Sequence, residues 1–464
     1  MSELQTPPVP RRNMELLLLL LALFVSLAAY YLVGLNTDVG FDQDFLVQGG
    51  ILAGLALMVH VSLRIWAKYA DPVILPSVVA LNGIGLAMIH RIDISKGSTV
   101  AFRQLLWTGV AIVVAIVVLW AIRDHRTLGK FTYIALLVSV VLLLLPMVPG
   151  LGHEVYGARI WIKIGSMTFQ PGEIAKITLA IFFAGYLSSN RDLILMAGRK
   201  IGPLQLPRAR DLAPMIVAWL VSIGVLVMQR DLGSSILLFG LFLVIIYVAT
   251  GRISWIVIGM VFVTVGGIFA YQTMAHVTRR IDGWLNAFDP NVYYAKYGSA
   301  QIVEGLFGLA NGGLLGTGLG NGRPGDVPLA NSDMIIASLG EELGLIGLSA
   351  IVLLYVILVS RGLRAALGAR DTFGKLLATG LSFTLALQCF VVIGGVTRLI
   401  PLTGLTTPFM AAGGSSLLAN WIIVALLLMI SHNARRPIAV NPSATGEVAT
   451  AAPGKNRLRK GAKA

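Results

Sequence analysis

The chain has 464 residues, 56% of them hydrophobic and only 12% charged, with a formal net charge of +14. A soluble domain carries about twice that share of charge, so this is an integral membrane protein, and the apolar stretches run long and unbroken rather than alternating, which makes it helical. A single cysteine, Cys389, excludes an intrachain disulfide and a cysteine-built zinc site, the six histidines form no metal-binding pair at helical spacing, and the positive balance is read as basic cytoplasmic loops, not nucleic-acid binding.

Twelve apolar segments of spanning length follow one another, at about 14–34, 47–63, 73–90, 104–122, 131–148, 172–188, 213–228, 233–250, 253–274, 334–360, 376–396 and 405–431. The first is too long for a signal-peptide core and is followed by further spans, so it reads as a true first helix. With the N-terminus inside, twenty-four Lys and Arg lie on the inner side and eleven on the outer, with Lys176 within a span. That asymmetry predicts a multi-pass protein with both termini cytoplasmic. Residues 1–13 form a short cytoplasmic segment. The tail, 433–464, has seven basic residues against one acid, Glu447. It is expected to be disordered; contact with anionic lipid and passive solvation are both open.

Two outer loops are larger than connectivity needs. The first, about 149–171, contains "GARIWIKIG" (157–165), which puts Arg159 and Lys163 outside, against the positive-inside trend. Cations there suit a phosphate-bearing ligand; a solvated loop charge is the bland reading. "QPGEIAK" (170–176) follows. Pro171 suits a first helical turn, and Glu173 and Lys176, three apart, share a face and pair most simply with each other. Ionisable residues at membrane depth are functional candidates, and a structural ion pair has equal weight. In "MQRDLGSS" (228–235), Asp231 sits at an outer turn and is positioned to cap the helix that follows.

The second outer loop, about 275–333, is by far the longest and lies between spans nine and ten. It holds Trp284, Phe288, Tyr293, Tyr294, Tyr297 and Phe307, a composition unlike that of disorder. "RRIDGWLNAFDP" (279–290) reads as an amphipathic helix at the interface. "EGLFGLANGGLLGTGLGNGRPG" (304–325) has nine glycines. It reads as a loop packed against or dipping into the membrane surface, where backbone amides at Gly312, Gly313 and Gly316 can approach an anion. Asp333 follows Ser332 and opens the tenth span. The bland reading is an acid stabilised by the helix dipole. On a continuous helix, Glu341 lies roughly 80° round from Asp333 and about 12 Å deeper, with Glu342 nearly opposite. A carboxylate at a cavity mouth with a second one further in suits proton abstraction from a substrate on the outer face.

"GARIWIKIG…FQPGEIAK", "QRDLGSS", "GGLLGTGLG", "SDMIIASLGEELGLIG" and "PLTGLTTPFMAAGGSSLLAN" occur in that order across about 150–432. As an ordered set they resemble the SEDS family (shape, elongation, division and sporulation proteins of RodA and FtsW type). The resemblance implies a ten-span core within the region 14–432, with two extra N-terminal spans at 14–63, as in actinobacterial members. It implies a peptidoglycan glycosyltransferase that polymerises lipid II at the outer face of the bacterial cytoplasmic membrane, working with a class B penicillin-binding protein, a transpeptidase. By position, the family's essential aspartate falls on Asp333, its arginine before Trp on Arg159, its acid and base on Glu173 and Lys176, its "QPDxG" aspartate on Asp231 and its "EELG" acid on Glu341. This chain departs from the family at Val327-Pro328-Leu329, Arg230, Gly172, Ala411 and Ala412. "NGIGLAMIHRID" (82–93) and "TTPF" with "LLANW" lean toward the RodA branch, which serves elongation and rod shape.

On that reading the growing glycan on undecaprenyl pyrophosphate is the donor and lipid II the acceptor. Asp333 is the base. Arg159, Lys163, Ser332 and the amides of Gly312, Gly313 and Gly316 bind the pyrophosphate. Glu173, Lys176, Asp231 and Glu341 shape the cavity. The reading admits a divalent cation, Mg or Mn, although no dedicated cage is visible. The alternatives are a lipid II flippase, a division-type polymerase of FtsW kind, and a purely structural scaffold.

Overall fold

The computed structural model describes residues 9–37, 43–155, 157–165, 167–191, 198–201, 204–207 and 209–437. Most of the N-terminal segment and of the basic tail lie outside the described residues. Each of the twelve predicted segments coincides with a helix: α1 (Arg12–Asn36), α2 (Gln43–Trp66), α3 (Ile74–Lys96), α4 (Val100–Ala121), α6 (Thr132–Leu144), α7 (Gly172–Ser189), α8 (Ala209–Met228), α9 (Leu232–Thr250), α10 (Ser254–Thr273), α14 (Ile335–Gly368), α15 (Thr372–Val396) and α16 (Gly414–Arg435). Short helices fill the connections: α5 (Arg126–Gly129), α11 (Ala275–Leu285), α12 (Pro290–Tyr293) and α13 (Ala300–Gly312). Among the described residues nine helices are long and apolar enough to cross a membrane. Two further apolar helices, at 132–147 and 212–228, are shorter, and α7 has 18 residues and carries Glu173 and Lys176.

Burial sorts these helices. The apolar windows of α3 and α16 are 89% and 83% buried and form the middle of the bundle, whereas that of α10 is 11% buried and presents an apolar surface on almost every side. An all-round apolar helix with so little protein contact is stable only when a nonpolar solvent surrounds it.

Three local features depart from the predicted elements. Residues 405–413 do not belong to the last span, which starts at Gly414. Pro401, Gly404, Pro408 and paired glycines at 413–414 interrupt the helix. The freed backbone groups are taken by side chains: Asn82 donates to Phe409 O at 3.0 Å, Gln104 to Ala411 O at 3.0 Å and Gln388 to Thr406 O at 2.9 Å, and Tyr355 donates to Pro408 O. Irregular backbone inside a membrane protein persists where such partners exist. The predicted glycine-rich loop begins as helix α13, and α14 is broken at Gly344 (φ 67°, ψ −174°). The loop after α6 folds as a small antiparallel meander, β1 (Gly152–Val155), β2 (Ala158–Ile164) and β3 (Met167–Phe169), with Trp161 opposite His153 and Lys163 opposite Thr168. A hairpin, β4 (Gly198–Ile201) and β5 (Leu204–Pro207), lies at the other end of the bundle.

The first two helices dock through polar as well as apolar contacts. Buried Glu15 on α1 meets His60 Nδ1 on α2 at 2.7 Å and pairs with Arg12, while Arg64 bonds His60 Nε2 at 2.9 Å and Asn13 at 2.7 Å. At its far end α1 touches the glycine-rich segment, where Asn36 donates to Leu319 O at 2.5 Å.

Candidate functional site

Asp333 sits two residues before α14, at the end of the long loop, and is buried. Leu329, in the left-handed region at φ 55°, folds the chain back so that the amides of Ser332 and Met334 both point at its carbonyl, at 3.0 and 3.3 Å. The Ser332 hydroxyl lies 3.0 Å from Asp333 Oδ1 and 3.2 Å from Leu329 O. The amide of Ala412 donates to Asn331 O at 2.7 Å, which ties this turn to the irregular segment before α16. Burial pushes the Asp333 carboxyl above the usual carboxylate range, against the pull of the Ser332 hydrogen bond and of the nearby Arg280 cation.

Because Asp333 precedes the helix, the 80° relation to Glu341 expected from a continuous helix does not apply. Glu341 instead faces α13 and the segment after it, accepting from Asn311 Nδ2 and from the Arg323 amide, each at 3.0 Å. Glu342, to which the sequence assigns no role, is a second anchor of the same segment. It pairs with Arg91 of α3 at 2.9 Å and accepts from the Gly320 amide at 2.9 Å. Arg91 also donates to Gly322 O at 2.7 Å.

The glycines of this segment pack against α14. Gly312 closes α13 against the first turns of α14, where a Cβ would stand 2.1 Å from Gly340 O. The Gly316 amide donates to Gly312 O at 2.8 Å, and the amides of Thr317 and Gly318 donate to Glu341 O and Glu342 O, both at 3.0 Å. The Gly313 carbonyl accepts from Leu345 just past the kink in α14 at 3.0 Å. Residues 312–318 thus turn their polar groups inward, filling the gap that the kink at Gly344 opens in α14.

A second cluster gathers around Asp231. It caps α9, accepting from the Ser234 amide at 2.9 Å, and Gln170 Nε2 lies 3.5 Å from its other oxygen. The backbone amide of Gln170 donates to the Ser415 hydroxyl on α16 at 2.9 Å. Glu173 and Lys176 pair at 2.5 Å, both buried, and Lys176 Nζ also reaches Gln388 at 3.2 Å. Burial raises the Asp231 carboxyl; the Ser234 bonds and Arg280 oppose this, and Glu173 adds to it. The charge of Arg280 on α11 therefore acts on Asp231 and on Asp333, although neither forms an ion pair with it among the described residues. In the sequence Arg280 and Arg91 are two of the eleven outer-side charges, with no partner visible. For Arg280 the signal was its i,i+4 spacing to Trp284, which puts both on one face of α11.

Arg159 and Lys163 project from the same face of β2, on either side of Trp161, and both are exposed. The Arg159 amide donates to Gln229 O at 3.3 Å, which straps this strand to the turn bearing Asp231. Among the described residues neither side chain forms an ion pair with Asp333. No group of three or more His, Cys, Asp or Glu side chains among the described residues could hold a metal ion.

Residues 72–436 match the FtsW/RodA/SpoVE family of cell cycle proteins. The chain is 48% identical over 447 residues to the peptidoglycan glycosyltransferase RodA of Mycobacterium tuberculosis, covering 94% of each chain. It is 46% identical over 454 residues to the RodA of Mycobacterium leprae, covering 96% of each. In fold it resembles a chain solved in a study of the structural coordination of polymerization and crosslinking by a peptidoglycan synthase complex, with a TM-score of 0.64 at 23% identity over 79% of this chain and 98% of that one. With the bundle, the kinked α14 and the buried aspartate at its entrance in place, the chain belongs to the FtsW/RodA/SpoVE family.

Proposed function

We propose that this protein is a RodA-type peptidoglycan glycosyltransferase that polymerises lipid II at the outer face of the bacterial cytoplasmic membrane during cell elongation. Both termini then lie in the cytoplasm, and a class B penicillin-binding protein is the partner that crosslinks the product. Near-half identity to proteins named for this activity, over almost the whole chain, supports the reaction class. The observation that carries the assignment of the site is Asp333: a buried carboxylate outside any ion pair among the described residues, held by a turn at the mouth of α14.

In this mechanism the GlcNAc 4-hydroxyl of incoming lipid II attacks the anomeric carbon of the growing glycan. The new C–O bond forms as the bond from that carbon to the undecaprenyl pyrophosphate breaks. The electron pair leaves with the pyrophosphate, and the hydroxyl proton passes to Asp333. Arg159 and Lys163, exposed on one face of β2, are the cations available to the departing pyrophosphate. Glu173, Lys176, Asp231 and Glu341 hold the cavity's shape through the contacts described above. Helices α1 and α2 precede the family-matched segment and are additions to its core.

The test is polymerisation of lipid II by the purified chain with its transpeptidase in vesicles. The Asp333→Asn protein, monodisperse and still able to bind the partner, is expected to make no glycan. Product at the wild-type level from that variant overturns the assignment. Lipid II translocation by protein-containing vesicles without any polymer identifies a transporter instead.

A further inference from the structure

Helices α1 and α2 take no part in that mechanism, yet they reach the segment that completes α14. The stretch "GTGLGNG" (316–322) has four glycines and one apolar side chain, Leu319. Gly316, Gly318 and Gly320 all stand at positive φ, at 82°, 94° and 94°. Such a run is costly in entropy to hold in one shape and has few side chains to anchor it. Leu319 is its anchor. The side chain packs against a cluster of Ala29 and Tyr30 of α1 and Ala87 of α3, which Phe45 of α2 also covers. Its carbonyl accepts from Asn36 Nδ2 at 2.5 Å, and Gly320 lies so close to the end of α1 that a Cβ there would stand 2.6 Å from Asn36 Cβ. The walls of this socket are joined to each other. The Tyr30 ring stacks on that of His90 of α3 with centroids 4.4 Å apart, and a Cβ at Gly83 of α3 would meet Ser26 Oγ of α1 at 2.0 Å.

The seated segment does its work through backbone groups. In a continuous helix the amides of Leu345 and Ile346 would bond the carbonyls of Glu341 and Glu342. The break at Gly344 parts them, and residues 313–318 supply both sides. Thr317 and Gly318 donate to Glu341 O and Glu342 O, each at 3.0 Å, while Gly313 O and Leu314 O accept from Leu345 and Ile346 at 3.0 and 3.1 Å. Unmet backbone groups in a membrane protein are costly, so the break keeps its shape while the segment stays in place. Upstream of the break, α14 runs from Ile335 as a stiff piece of about two and a half turns. Asp333 stands two residues before that piece.

We infer that the N-terminal pair of helices belongs to the glycosyl-transfer apparatus: Leu319 in its socket and Asn36 are positioning residues that seat segment 316–322 against the break in α14, and so fix the half-helix at whose entrance Asp333 stands. This rests on the reading of Asp333 as the base. Arg91 and Glu342 of the family core hold Gly322 and Gly320 from one side, and α1 closes the other.

The experiment follows lipid II polymerisation by the full chain with its transpeptidase in vesicles, per mole of protein that binds the partner, together with amide hydrogen exchange. Wild type must be active and Asp333→Asn inactive. If Asp333→Asn is active, the reading of the base has failed, and exchange alone decides whether α1 seats the segment. Given the base, Leu319→Ala is expected to lower kcat about tenfold or more with KM within about twofold of wild type, because moving a catalytic group by about 1 Å costs up to about a hundredfold without touching substrate binding. Amide exchange is expected to speed up in 313–322 and 335–343 and to stay unchanged in α1 and α2. Leu319→Met, which refills the socket, is expected to restore both. A kcat at the wild-type level, a rise in KM alone, or faster exchange spread over α1 and α2 overturns the inference. Should Leu319→Ala not fold, Asn36→Ala serves, since it removes one hydrogen bond at the exposed end of α1. Its kcat is expected to fall about fivefold with the same local change in exchange, and an unchanged kcat and exchange overturn the inference.

Discussion

Arg91 and Glu342, 251 positions apart in sequence, meet at 2.9 Å in the interior of the bundle. Between them they take the amide of Gly320 and the carbonyl of Gly322, so a single ion pair holds α3, α14 and the tip of the glycine-rich segment. On the other side of that tip, Asn36 of α1 bonds Leu319 O. Removing one member of a buried pair leaves an uncompensated charge and costs about 3–5 kcal/mol. Glu342→Ala and Arg91→Ala are each expected to lower thermal stability sharply. The double substitution Arg91→Met, Glu342→Gln is expected to recover much of the loss. A thermal-unfolding series in detergent checks this, and single and double variants that all match wild type would sink it.

Helix α13 tolerates side chains unequally along its glycine face. At Gly312 a Cβ would meet the Gly340 carbonyl at 2.1 Å and the Glu341 backbone at 2.8 Å, and backbone atoms cannot swing aside. At Gly308, on the same helix, the nearest atom is Glu341 Oε2 at 3.6 Å, an ordinary contact. Gly308→Ala is expected to be near neutral or slightly stabilising, since alanine favours a helix by about 1 kcal/mol over glycine. Gly312→Ala is expected to push α13 off α14, with loss of polymerisation even where the protein still folds. Measured activities of the two variants decide the matter, and equal activity is the outcome that contradicts the packing argument.

At the opposite end of the bundle, Asp371 caps α15 through the Gly374 amide at 2.7 Å and accepts from His125 at 2.9 Å. Burial alone pushes its carboxyl up, but the His125 hydrogen bond, the Gly374 amide and the charges of His125 and Arg126 bring it down to about 2 from the ordinary 3.8. A carboxyl depressed in the folded state contributes stability that is fully present above its unfolded value. That stability is lost as pH falls through the folded value, here between about 4 and 2. Asp371→Asn is expected to be less stable than wild type at neutral pH, with the gap closing as the pH drops through that window. Melting curves from pH 6 to 2 test this; a gap that persists unchanged at pH 2 contradicts it.

Much of the architecture was legible because membrane solvation imposes a simple rule. A backbone that crosses hydrocarbon must be helical and apolar over about 20 residues, and the nine helices among the described residues that meet this rule all fall on apolar runs visible in the sequence. Helix caps and i,i+3 pairs are also local, so the cap at Asp231 and the pairing of Glu173 with Lys176 were visible in short stretches of chain. Asp333 stood out as an acid where apolar sequence begins. What the sequence could not decide was anything that depends on two distant segments meeting. The run 405–413 reads as the start of a span, and the side chains of Asn82, Gln104, Gln388 and Tyr355 on other helices let it stay irregular. Gly312 and Gly316 stand out in the sequence only as part of a glycine-rich loop, and their close packing against α14 depends on the kink beside them at Gly344. Arg91 and Arg280 looked like two loop charges among eleven. Their partners lie on other elements, Glu342 for Arg91 and the Leu402 and Thr403 carbonyls for Arg280, so the tertiary structure alone makes each a tie between distant segments.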